Sequence, residues 1–230
     1  MESDINKNEV AIPLNGFSLN AYLHIPEDSI GLVIFSYGSG SSRFSPRDNY
    51  VARLLNKNHI ATLLPHLLTV KEDQVFKNRF NIPLLTERLQ KITEFALKHP
   101  QLKNLPVGYF GASTGAASAL NASAHFLNTI KAIVSRGGRP DLAREHELPF
   151  IKSPTLLIVG SLDIPVISFN DEAFYKLTCK KEMVVVKGAS HLFEEPGKLE
   201  EVAVLASGWF KKYLIQSSTL SAKNKEKTIF

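Results

Sequence analysis

The sequence predicts an α/β fold, a mainly parallel sheet with helices packed on both faces. Three observations carry this expectation. Short, continuous apolar runs recur along the chain, the pattern of strands buried on both sides. Between them lie longer segments whose apolar residues fall at helical spacing. The chain has 230 residues, 44% hydrophobic and 21% charged, which suits one α/β domain and is short for two. Strands alternating with helices in this way build a parallel sheet through crossover connections.

Taken in order, residues 10–14 and 19–25 read as an opening pair of strands. Gly31-Leu-Val-Ile-Phe-Ser36 is a fully buried strand, ending at Tyr37-Gly38-Ser39-Gly40. A helix follows from Pro46, with Val51, Leu54 and Leu55 on one face. Residues 60–64 form the next strand, closed by Pro65, and the polar stretch 66–81 has no clear pattern. Pro83 sits where a first helical turn accepts it, and Leu85, Leu89, Ile92 and Ala96 make the apolar stripe of that helix. Residues 105–110 are a strand that runs into a small-residue helix beginning at Ser113. Residues 130–135, 155–159 and 183–186 are three further buried-strand runs. Helices are expected over residues 169–177 and 199–214, the latter with Val202, Leu205 and Trp209 on one face.

Residues 1–216 therefore read as a single domain and 217–230 as a basic, solvated tail. The formal charge is +5, and four of these excess charges fall between Lys211 and Phe230. The rest of the chain is nearly neutral, so no nucleic-acid partner is expected. No apolar run approaches the roughly 18 residues a membrane span requires. The first residues are polar, with no apolar signal segment, and a cytoplasmic location is the expectation. Cys179 is the single cysteine, which excludes an internal disulfide and a cysteine metal cluster.

The chemistry begins at Gly111-Ala112-Ser113-Thr114-Gly115. This Gly-x-Ser-x-Gly lies between a strand and a helix, where the chain must reverse within a few residues. Such a turn projects the serine hydroxyl outward and leaves no room for side chains two residues to either side. It also aims the Thr114 N–H, at a helix N-terminus, at the place where an acyl oxygen would gain charge.

A serine hydroxyl needs an imidazole to take its proton and a carboxylate to orient that imidazole. In strand-to-helix serine turns the partners follow in the order Ser, Asp or Glu, His. His24, His59, His66 and His99 precede Ser113 and drop out, while His125 lies in the nucleophile's own helix and His146 in a charged loop. His191 follows a strand directly, as does Asp163, ahead of Asp141 and Asp171 as the orienting acid. All three residues thus fall just past the carboxyl ends of strands, where open α/β sheets place their sites.

Residues 37–43 are glycine-rich, but Arg43 occupies the third glycine position of a dinucleotide fingerprint and no Gly-Lys-Ser/Thr follows. The loop reads instead as the second half of an oxyanion hole, with the Ser39 N–H as donor beside Gly38. Tyr37, Arg43, Arg136 and Arg139 lie in loops past strands and are candidates for holding a substrate group, the arginines a carboxylate or phosphate. The competing reading is that these arginines, with Arg47, order their own loops through Asp48 and Asp141.

The chain resembles the dienelactone-hydrolase-like family of the α/β-hydrolase superfamily, in a branch with a serine nucleophile. The resemblance runs from about residue 33 to 214. It rests on the loop 37–43 with Ser45-Pro-Arg47, on Pro83-Leu-Leu-Thr-Glu-Arg-Leu89 and on Gly111-Ala-Ser-Thr-Gly115. Ser135-Arg-Gly-Gly-Arg-Pro-Asp141, Val159-Gly-Ser-Leu-Asp163 and Gly188-Ala-Ser-His-Leu-Phe-Glu-Glu-Pro196 complete it. It implies an α/β-hydrolase fold and a triad of Ser113, Asp163 and His191. Dienelactone hydrolases proper use a cysteine nucleophile; here the position holds Ser113 and the loop past the third strand opens Tyr37-Gly38. The expectation is cleavage of a small-molecule carboxylic ester or thioester through an acyl-enzyme, with neither metal nor organic cofactor. The alternatives are transfer of the acyl group to another acceptor, and a non-catalytic ligand-binding protein on the same fold.

Overall fold

The computed structural model describes the backbone of residues 8–226 and the side chains of residues 8–215. A two-residue turn at Asn15-Gly16 joins β1 (Asn8–Leu14) to β2 (Phe17–His24), an antiparallel pair. The crossover series follows: β3 (Gly31–Ser36), α1 (Pro46–Lys57), β4 (Ile60–Pro65), α2 (Val70–Asp73), α3 (Ile82–Lys98), β5 (Val107–Ala112), α4 (Thr114–Phe126) and β6 (Ile130–Arg136). After β7 (Thr155–Gly160) come α5 (Ile164–Lys176), β8 (Lys181–Val186) and α6 (Lys198–Glu226).

Among the described residues these strands form one eight-stranded sheet in the order β1-β2-β4-β3-β5-β6-β7-β8. β2 also pairs antiparallel with β4, and every other pairing from β4 to β8 is parallel. This is the α/β-hydrolase arrangement the sequence predicts. The apolar runs explain it: in β3, Leu32 and Ile34 pack into one core while Val33 and Phe35 pack into the other. The first core lies under α3 and α4, the second under α1 and α6. β5, which leads to Ser113, is buried along its whole length.

Two expectations need correction. Residues 183–186 are not a strand buried on both faces. β8 is the sheet edge, where Val185 is exposed and only Val186 is buried. The helix expected over 169–177 begins at Ile164, since Pro165 fits its first turn and Asp163 holds the N-cap position. Asp171 is therefore inside a helix rather than at its start. Of the expected tail, residues 217–226 continue α6, with side chains outside the described set, and 227–230 lie outside the described residues. The patternless stretch 66–81 holds α2 and a 3-10 turn over Phe76–Phe80. No described helix is long and apolar enough to cross a membrane.

Candidate active site

Ser113 stands between β5 and α4 with φ 51° and ψ −123°. A non-glycine residue held there costs about 1–3 kcal/mol, which the surroundings must offset. They do so through the backbone. The Ser113 N–H donates to the Arg136 carbonyl at 3.2 Å, and the Ser113 carbonyl accepts from the N–H groups of Arg139 at 3.0 Å and Ala116 at 3.1 Å. The flanking glycines are sterically required. A Cβ at Gly111 would stand 2.6 Å from the Ala116 Cα, and one at Gly115 would run into the Ser36 and Tyr37 backbone.

Asp163 and His191 come from neighbouring strands whose following loops are tied together. Ser161 N–H donates to the Val186 carbonyl at 3.0 Å, and Leu162 N–H to the Ala189 carbonyl at 3.0 Å. Asp163 occupies an N-cap position but its side chain caps nothing. Its Oδ2 instead stands 2.6 Å from His191 Nδ1, and His191 Nε2 lies 3.3 Å from Ser113 Oγ. The Asp163 side chain is 13% exposed and that of His191 37%, so the imidazole is partly open to water. The three residues chosen from the sequence thus form one relay. With Nδ1–H held by the carboxylate, Nε2 is left as the acceptor for the serine proton. The competing histidines are elsewhere: His125 is in α4, and the His146 side chain is 80% exposed.

Gly38 packs directly on the serine. A Cβ there would stand 2.8 Å from Ser113 Cβ. Ser39 follows in a turn closed by the Ser41 N–H on the Gly38 carbonyl at 3.1 Å. Thr114 is the first residue of α4, where backbone N–H groups have no partner within the helix. Gly38, just past β3, and Thr114, just past Ser113, thus adjoin the serine from two sides.

The four arginines all face carboxylates of this chain. Arg136 Nη2 lies 3.3 Å from Asp48 Oδ1, both side chains buried, and burial pulls Arg136 below the usual guanidinium value while Asp48 opposes this. Arg43 reaches Glu9 at 2.6 Å and lies against the rings of Tyr22 and Phe44. Arg139 pairs with Asp141 at 2.7 Å and Arg47 with Glu194 at 2.7 Å. Tyr37 is buried in the core beneath α1, where burial and then Asp48 raise its phenol well above the ordinary value. Asp48 joins these loops, since Ser41 Oγ also donates to it at 3.4 Å. The sequence names Asp48 as a partner for an arginine but gives no sign that one carboxylate would meet both the loop after β3 and β6.

A groove of ≈980 Å³ opens beside residues 37–44. Its far wall is formed by residues 66–74 and Arg79, its floor by Phe17, Leu19 and Leu85. The far wall is locally stapled: Thr69 and Glu72 form a capping box, Arg79 forks onto Asp73, and Arg88 reaches Glu72 at 2.7 Å. Sequence periodicity misses this wall, although Thr69-Val-Lys-Glu72 carries the capping-box spacing. Burial, then the charge of Arg43, lowers His66 in this groove below the ordinary imidazole value. Among the described residues no group of three or more His, Cys, Asp or Glu could hold a metal ion.

Comparison with known proteins adds the following. A solved dienelactone hydrolase from Anabaena variabilis is 48% identical, with a TM-score of 0.87, covering 90% of this chain and 98% of that one. Est1E from Butyrivibrio proteoclasticus shares the fold at a TM-score of 0.73 and 16% identity, over 89% of this chain and 98% of its own. Two Mycobacterium tuberculosis proteins named as putative phosphoribosyl transferases are 46% identical over 210 residues. The match takes in 91% of this chain and 47% of theirs, so the chain spans about half the length of these curated relatives. No family model matches the chain.

Proposed function

The chain belongs to the α/β-hydrolase superfamily, in its dienelactone-hydrolase-like family, and from that premise we propose that it is a serine hydrolase of carboxylic esters or thioesters. The observation that carries the reading is the continuous relay from Asp163 through His191 to Ser113, set on a turn that cannot relax. His191 takes the Ser113 proton as Oγ adds to the substrate carbonyl. Ser39 and Thr114 N–H groups hold the resulting oxyanion. His191 then returns the proton to the departing alcohol or thiol, and water repeats the sequence to free the acid.

Asp163 orients the imidazole and stabilises its charged form. Buried Arg136 and half-buried Arg139 fix the loops around Ser113 through Asp48 and Asp141. The phosphoribosyl transferase name carried by the relatives of double length belongs, on this reading, to the part of them outside the match. Residues 37–43 lack both the dinucleotide fingerprint and the Gly-Lys-Ser/Thr of a phosphate loop.

The test is turnover of p-nitrophenyl acetate together with labelling by a fluorophosphonate. Both are expected for the wild-type chain, and Ser113→Ala loses labelling and at least about 10⁴-fold in kcat/KM, with its melting temperature kept. Equal activity in the two proteins would remove the assignment. Absence of labelling in the folded wild-type chain would favour a non-catalytic binding role.

A further inference from the structure

We infer that the acyl part of the substrate is an uncharged apolar chain or ring system, bound in the groove between residues 37–44 and 66–74. The inference rests on the proposed serine hydrolase reading and names the substrate class for it.

The first step is direction. The leaving-group oxygen must receive its proton from His191 Nε2, so the leaving group sits on the imidazole side of Ser113. Asp163 and His191 belong to loops after β7 and β8. The groove is lined from β2, from the loops after β3 and β4, and from the start of α3, on the other side of β5 in the sheet order. With the oxyanion held between the Ser39 and Thr114 N–H groups, the remaining substituent of the carbonyl carbon points to the groove side. Gly38, which packs on the serine, and Ser39 after it are themselves part of the groove lining. Acyl group and groove therefore meet at the oxyanion loop.

The second step is chemistry. At ≈980 Å³ the groove is at the large end of small-molecule sites, which run from about 300 to 1,000 Å³. An acetyl group would leave it almost empty. Phe17, Leu19, Leu67, Leu68 and Leu85 give it an apolar body, and Phe44, 59% exposed, forms one lip edge-on to His66 at 5.5 Å. Its two arginines are already engaged, Arg43 by Glu9 and Arg79 by both oxygens of Asp73. A carboxylate at the end of the acyl chain would have to displace one of these partners. Lys71, the remaining cation of the lining, is exposed to water and offers only a screened charge, so such a group loses its hydration without gaining a buried counter-charge.

The experiment is a p-nitrophenyl ester series from acetate to octanoate, with the adipate half-ester as the charged counterpart of hexanoate. A buried methylene contributes up to about fourfold to kcat/KM, so hexanoate and octanoate are expected at least about tenfold above acetate. The adipate half-ester is expected at least about tenfold below hexanoate. Leu68→Trp, which fills the groove, is expected to lower the octanoate-to-acetate ratio by about tenfold. A flat series with acetate cleaved, or equal rates on adipate and hexanoate, would overturn this inference and leave the hydrolase reading standing. An unchanged octanoate-to-acetate ratio in Leu68→Trp would do the same. No turnover and no fluorophosphonate labelling in the folded chain would overturn the hydrolase reading, and this inference with it.

Discussion

Ser113 and the segment 66–81 stand at the same end of the sheet and are held by different means. Ser113 is fixed by long-range structure: hydrogen bonds to Arg136 and Arg139, glycines against the β3 loop, and a strand buried on both sides. The segment 66–81 is held by its own neighbours. Thr69 and Glu72 cap α2, Asp73 and Arg79 staple the following turn, and Val70 and Phe76 remain largely exposed. On the proposed reading Ser113 carries the reacting atom, and because misplacement by 1 Å costs about 10²-fold in rate, that group belongs on the most constrained turn. A wall that only bounds a substrate tolerates looser, local support. Chemistry and selectivity should therefore respond differently to substitution.

Beyond Ser113→Ala, the largest separation is expected from Asp163→Asn. It keeps the shape but removes the charge that orients His191, and kcat is expected to fall about 10³- to 10⁴-fold on every ester alike. A loss confined to long esters would break the comparison. Gly38→Ala comes next. Its Cβ would meet Ser113 Cβ at 2.8 Å, so the oxyanion loop must shift. A fall of about 10²-fold in kcat is expected, with KM within a few-fold. Comparable kcat in wild type and variant would show that the loop is less constrained than its contact with Ser113 implies.

Thr69→Ala is the smallest perturbation. Loss of the capping box costs about 1 kcal/mol, or roughly 2–4 °C in melting temperature if the chain unfolds as one unit. Its kinetic effect is expected in the octanoate-to-acetate ratio, by about twofold to fivefold, at the scale of a loosened contact rather than a lost group. A drop of the Asp163→Asn kind would mean that the wall and the relay are one structure.

Legibility in the sequence divides along the same line. Strands such as 31–36 and 155–159 were readable because burial on both faces leaves mostly apolar residues. The relay was readable because steric and chemical demands at Ser113, Asp163 and His191 select few residue types, each just past a strand. Edge position was not: the apolar run Met183-Val-Val-Val186 looks the same whether a neighbour covers it or not, and β8 proved to be the rim. Nor was the groove wall, because a four-residue helix has no period to detect and its support comes from side-chain pairs such as Arg88 with Glu72. The Asp48–Arg136 pair lies 88 positions apart in the chain. Spacing alone cannot announce such a contact.

The exposure of His191 sets the order of traffic in the proposed reaction. Its side chain is 37% exposed and takes no part in the groove lining. When the alcohol departs it vacates the imidazole side, while the acyl chain stays attached and seated on the other. The next molecule to meet His191 must arrive through the doorway the alcohol has left, and bulk water is its commonest visitor. Entry and exit are thus shared by the first product and the second reactant, and whichever nucleophile crowds that doorway decides whether the acyl group ends as an acid or is handed on.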